Sequence, residues 1–109
     1  MTDHLRGSLE VTLLSVLAGA PDGVSGLDVR RLVAERTERT YAVGAIYTVL
    51  QRLEDKGFVT VRVDEPRAMR GGRARRLFSI SRDGREALEA FRRHADLAWG
   101  RRPVALAPL

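Results

Sequence analysis

The chain has 109 residues, a formal net charge of +5 and a hydrophobic fraction of 44%. That is enough for one domain with an ordinary core and a surplus of cation, and it excludes a second core and a disordered ground state. With no cysteine, disulfides, thiol catalysis and cysteine-ligated zinc are excluded, and no apolar run reaches the length of a membrane span.

Nearly all of the cation is arginine, with Lys56 the only lysine. The guanidinium fork suits phosphate and guanine edges, although a genome rich in arginine and alanine codons produces the same bias. The N-terminal stretch lacks the apolar segment and cleavage site of a signal peptide, so a soluble, cytoplasmic protein with no membrane partner is expected.

Residues 1–7 are polar. A helix is expected from Ser8, which can cap it, with Glu10 in the first turn. Leu9, Thr12, Leu13, Val16 and Leu17 make its buried face, and Val11 and Leu14 widen the apolar surface. A helix with two apolar faces usually sits between partners, so Leu9 and Leu13 are expected to touch a second subunit as well as the core. Residues 19–26, GAPDGVSG, are dense in turn formers and end this helix. Ser25 caps the next helix, Gly26–Thr37, with Asp28 near its positive end. Leu27, Val29, Leu32 and Val33 supply its apolar side, while Arg30, Arg31, Glu35 and Arg36 are expected in solvent. Residues 37–42, TERTYA, form the connection to the stretch around which the chain is organised.

That stretch is residues 43–57, VGAIYTVLQRLEDKG. Ile46, Val49, Leu50 and Leu53 recur at helical spacing and form one stripe. The other side carries Gly44, Tyr47, Thr48, Gln51 and Asp55, which are small, polar and able to form hydrogen bonds. Such a face fits a groove of DNA: Gly44 and Thr48 permit close approach, and Tyr47 and Gln51 offer donors and acceptors. A surface helix of any small domain has the same periodicity, so the surroundings decide. Gly57 suits the helix end.

Residues 58–64, FVTVRVD, alternate Val59, Val61 and Val63 against Thr60, Arg62 and Asp64, which is a strand of period two. Residues 65–75 hold Pro66, Gly71 and Gly72 together with Arg67, Arg70, Arg73 and Arg75, and residues 76–80 return as a second strand. The tip of this hairpin is either a solvated turn or, beside a helix that fits a groove, an element that touches phosphate or the minor groove. Ser81 caps a last helix, Arg82–Trp99, on which Leu88, Phe91, Ala95 and Ala98 step by three, four and three. This seam is assigned to dimer contact, against the competing arrangement in which it folds back on its own domain. Gly100 ends the helix, and residues 101–109 read as a flexible tail containing proline.

Three segments, in this order, resemble the PadR family of transcriptional regulators. LEVTLLSVLAGAP is similar to the family's first helix. VGAIYTVLQRLEDKGFV is similar to its G-T-L-Y-x-x-L-x-R-L-E-x-x-G-L-I recognition helix and strand, and GGRARRLFSISRDGREAL to its G-G-R-x-R-K-Y-Y-x-L-T-x-x-G wing. The resemblance runs from about Leu9 to Leu88. It departs at Ala42-Val43-Gly44-Ala45-Ile46-Tyr47, where the family often has Ser-Pro-Gly-Thr-Leu-Tyr, at Leu77 and Phe78, where it has tyrosines, and at Val24-Ser25-Gly26-Leu27, where it has His-Gly-Tyr. Ala42 is a poor cap, so either Thr40 takes over the role or the helix starts less firmly.

The resemblance implies a mainly α fold with a small β-hairpin. Residues 1–80 would be a winged helix-turn-helix DNA-binding domain, 81–100 a dimerisation helix and 101–109 a tail. It also implies a homodimeric repressor of a neighbouring gene on an inverted-repeat operator. The residues expected at double-stranded DNA are Tyr41, Gly44, Tyr47, Thr48, Gln51 and Arg52, with Arg70, Arg73 and Arg75 from the wing. Those expected at the dimer contact are Leu9, Leu13, Leu88, Phe91, Ala95 and Ala98. In some family members a small aromatic or drug-like effector releases the DNA. Here Trp99, one turn beyond Ala95, either stacks on such a ligand or plugs the seam.

An enzyme is not expected. His4 stands near the chain's start, and His94 lies among Arg92, Arg93 and Asp96 without a nucleophile near it in sequence. No metal-binding motif or carboxylate cluster with ligand spacing is present, so no metal or cofactor is expected. A winged-helix protein-interaction module without DNA binding stays open as the alternative, because fold alone does not fix function. Polar residues on the central helix and arginines on the wing favour DNA.

Overall fold

The computed structural model describes residues 7–64 and 75–99, the side chains of residues 7, 8 and 99 excepted. The elements run α1 (Gly7–Ala18), β1 (Val24–Ser25), α2 (Gly26–Thr37), α3 (Val43–Asp55), β2 (Val59–Asp64), β3 (Arg75–Ile80) and α4 (Arg82–Trp99). The Ser8 cap and the tail at 101–109 lie outside the described residues. Among the described residues, no helix is long and apolar enough to cross a membrane.

Local chemistry sets the helix ends. The Ser25 hydroxyl accepts the Asp28 N–H at 3.2 Å and starts α2. Its far end closes on Glu38, whose φ of 61° lets its N–H reach the Ala34 carbonyl. α3 ends in a Schellman pair: Gly57, at φ 82°, donates to the Glu54 carbonyl, and Phe58 donates to Leu53, both at 2.9 Å. The Ser81 hydroxyl accepts the Gly84 N–H at 2.9 Å and donates to the Gly57 carbonyl at 2.6 Å. One serine therefore caps α4 and fastens it to the corner between α3 and β2. Gly84 lies so close to the Phe58 carbonyl that a Cβ there would collide with it.

The sheet has three antiparallel strands in the order β1-β3-β2, with Val24 opposite Phe78 and Val61 also opposite Phe78. The hairpin is as expected, but β1 lies in a segment expected to be turn alone. Two residues are too short to show a period, and the strand exists because the edge of β3 is there to pair with it.

The core encloses α1. That helix packs against α2, α3, β3 and α4, so both of its apolar faces are covered from within the chain. Leu13, Leu14 and Leu17 have no exposed surface. This corrects the expectation for Leu13, which has no area left to offer a second subunit; Leu9 is half-buried against the same core. Leu88 is also enclosed in this core, so the start of the α4 seam folds back on its own domain. Beyond it, Phe91 is 42% and Leu97 82% exposed. Leu27, expected on the apolar side of α2, is exposed, because α2 turns Val29 and Val33 inward instead.

Candidate nucleic-acid interface

α3 buries Ile46, Val49, Leu50 and Leu53 and leaves the opposite face to solvent. Gly44, Thr48, Gln51, Arg52 and Asp55 are all exposed. A Cβ at Gly44 would meet no atom within 4 Å, so this part of the face is bare backbone. The helix starts at Ala42 with no side-chain cap, so of the two expected arrangements it has the less firm start and not a Thr40 cap. Its first N–H groups stand at the positive end of the helix dipole.

Two arginines pin the connection into α3. Arg30, expected in solvent, donates its Nε–H to the Tyr41 carbonyl at 2.6 Å, so it is not a free cation. The Arg39 guanidinium lies 4.9 Å from the centre of the Tyr41 ring. Tyr41 is half-buried and carries a cation on its face, next to the start of α3. Tyr47 departs from the outward placement expected for it. Its ring lies over Gly26, where a Cβ would strike it, and meets the Phe78 ring edge-on at 6.3 Å between centroids. A bare glycine at the start of α2 gives this large ring a seat, which apolar periodicity does not register.

On the outward face, Gln51 donates from Nε2 to Asp55 Oδ1 at 3.0 Å. On the wing, Arg75 pairs with Asp64 at 3.2 Å, the residue opposite it in the β2–β3 register. Arg76 reaches Glu54 at 3.5 Å, and its guanidinium lies 5.3 Å from the Phe78 ring centre. The roles of Arg30, Arg39 and Arg76 are not marked by any motif. Their only signal in the sequence is charge near the connection and the strand, which does not identify a partner. Arg70 and Arg73, with Gly71 and Gly72, lie outside the described residues. On α4, Ala95 is half-buried and Ala98 exposed, while the Trp99 side chain lies outside the described residues.

The Transcriptional regulator PadR-like family matches residues 13–90, from the second turn of α1 into α4. The chain belongs to the PadR-like family of transcriptional regulators. Solved PadR structures share its fold. A PadR family transcription regulator from Clostridium difficile R20291 is 21% identical with a TM-score of 0.70, the match covering 84% of this chain and 91% of that one. A PadR-like transcriptional regulator from Bacillus cereus is 21% identical with a TM-score of 0.66, over 83% of this chain and 82% of that one. Bacillus subtilis PadR, solved in complex with operator DNA, is 21% identical with a TM-score of 0.65, over 78% of this chain but 47% of that one. No curated protein sequence matches the chain. Among the described residues, its four helices and small antiparallel sheet match the winged-helix fold of these PadR structures, and the family consists of regulators rather than enzymes.

Proposed function

We propose that this PadR-like regulator binds double-stranded DNA in a sequence-specific manner, as a homodimer on an inverted repeat, and represses the gene beside it. The observation that carries the reading is the division of α3. Its apolar stripe is fully used by the core, while Gly44, Thr48, Gln51 and Arg52 stand exposed on the face left over. A bare, polar helix face of this kind suits the major groove, where side-chain amides and guanidinium groups match base edges. Wing arginines beside it suit phosphate, which contributes affinity and register without reading bases.

The homodimer is supported by the second half of α4, where Phe91 and Leu97 are exposed beyond the last core residue of that helix. Two copies would place their α3 helices about one helical turn, roughly 34 Å, apart, hence the inverted repeat. A flat aromatic effector beside Ala95 and Trp99 is a finer extension of this reading. Trp99 is the only tryptophan, so its fluorescence would report such a ligand directly.

The test is duplex binding at one fixed salt concentration, using the intergenic DNA beside the gene and a random duplex of equal length. Protection of an inverted repeat, with tighter binding than to the random duplex, is expected. No binding of either duplex at low salt would overturn the reading and favour a protein-interaction module.

A further inference from the structure

The Gln51–Asp55 hydrogen bond sits on the exposed face of α3 and does nothing for the core. We infer that Asp55 is a positioning residue: it orients the Gln51 amide so that Gln51 selects adenine over guanine. The inference rests on α3 being the helix that reads DNA.

Donors and acceptors decide what the held amide can read. A glutamine amide has one carbonyl oxygen and two N–H donors, whereas a carboxylate only accepts. Asp55 Oδ1 takes one N–H at 3.0 Å, and turning the amide over would bring two acceptors together. The amide is therefore held with one N–H and Oε1 remaining. Adenine offers N7 as acceptor and N6–H as donor, which this remainder matches. Guanine offers two acceptors, O6 and N7, and would need both N–H groups. With one of them held by Asp55, Gln51 makes at most one bond to guanine and sets its own oxygen against O6.

The location of Asp55 points the same way. It is the last residue of α3, where the helix dipole favours cations, and it lies on the face proposed to enter the groove of an anionic duplex. Among the described residues it has no ion-pair partner to offset either cost, and its hydrogen bond is with Gln51. A role limited to supporting the helix through an i,i+4 contact would not depend on which base lies opposite.

The test uses the full chain and the tightest duplex that the wild type recovers from a random duplex library, with every single-base-pair variant of that duplex, at one salt concentration. Gln51→Ala should erase an adenine-over-guanine preference at one position, a loss of about 5- to 150-fold in discrimination. Asp55→Ala should lose the same preference at the same position. Asp55→Asn should weaken it as well, because an asparagine amide donates as well as accepts and so supports either orientation of the Gln51 amide. Both Asp55 variants remove one negative charge, so both should bind random duplex more tightly and by the same factor. Circular dichroism should show all three variants folded, since both positions are exposed. Wild-type preference in Asp55→Ala or in Asp55→Asn, or an unchanged profile in Gln51→Ala, would each overturn the inference. Recovery of no duplex by the wild type would show instead that the DNA reading had failed, and this inference with it.

Discussion

Lys56 Nζ lies 3.0 Å from one carboxylate oxygen of Glu10 and 3.3 Å from the other, joining the first turn of α1 to the C-cap of α3. The side chains are 16% and 3% exposed, so this is a largely dehydrated pair. It fixes the end of the helix proposed to read DNA against the central helix of the core. Removing one partner takes a close counter-ion from a largely buried charge, which costs about 3 kcal/mol. Lys56→Ala should lower stability by that amount in denaturant unfolding. Replacing both partners, as Glu10→Leu with Lys56→Met, should recover most of the loss, because an apolar pair carries no desolvation penalty. A loss under about 1 kcal/mol in Lys56→Ala would mean that the pair behaves like a screened surface contact.

Two glycines should respond with opposite signs. A methyl at Gly84 would run into the Phe58 carbonyl and come within 2.9 Å of Ile80 Cγ1. Backbone cannot give way there without parting α4 from the α3–β2 corner, so Gly84→Ala should cost about 1–3 kcal/mol. Gly44 has open space around it, so Gly44→Ala should leave the fold intact or stabilise it by about 0.5 kcal/mol through helix propensity. The same methyl stands on the face proposed to enter the groove, so duplex binding should weaken. Thermal melts together with duplex titration separate the two effects, and a Gly44→Ala variant binding as tightly as wild type would remove Gly44 from the contact surface.

The features readable in the sequence are those with a local cause. Ser25, Asp28, Gly57 and Ser81 mark helix ends through hydrogen bonds to residues within three positions or through a positive φ, and the stripe on α3 has a period. Features that depend on distant residues carry no such signal. Glu10 and Lys56 are 46 positions apart, and β1 is a strand only because Phe78 lies opposite Val24. An apolar stripe shows that something covers it, not what. Leu13 and Leu88 therefore read as surface for a second subunit, whereas α1 is enclosed by its own domain. Tyr47 counts as outward by its angle on the helix, but a long ring can fold back over a bare glycine.

The protein should be a dimer, with a scattering mass near twice the 12.1 kDa of the chain. Phe91 is 42% exposed, so it is not needed for the domain's own core. A charge placed there would be buried only in a dimer, where its desolvation is costly. Phe91→Asp should therefore give a monomer by light scattering at micromolar concentration with an unchanged circular dichroism spectrum. A monomeric wild type would remove the dimer and the inverted repeat together. A Phe91→Asp variant that stays dimeric would move the contact away from this part of α4.

Two arginines of the wing give separate tests. Arg75 is paired with Asp64 across the hairpin, and a guanidinium must loosen that pair before it can serve a phosphate. Arg73, which the sequence places beside Gly71 and Gly72, is the stronger candidate for a backbone contact. Arg73→Ala should weaken specific and random duplexes alike. It should also flatten the salt dependence of log K by about 0.9 for each phosphate that the side chain neutralises in the wild type, counted per subunit. Asp64→Ala should act in the opposite direction, freeing Arg75 and removing a negative charge from the wing, so that affinity for any duplex rises. Titrations at three or more salt concentrations read the slope directly. A weakening in Arg73→Ala confined to one base position would make Arg73 a base contact. An Asp64→Ala variant with wild-type affinity and slope would place Arg75 outside the DNA contact.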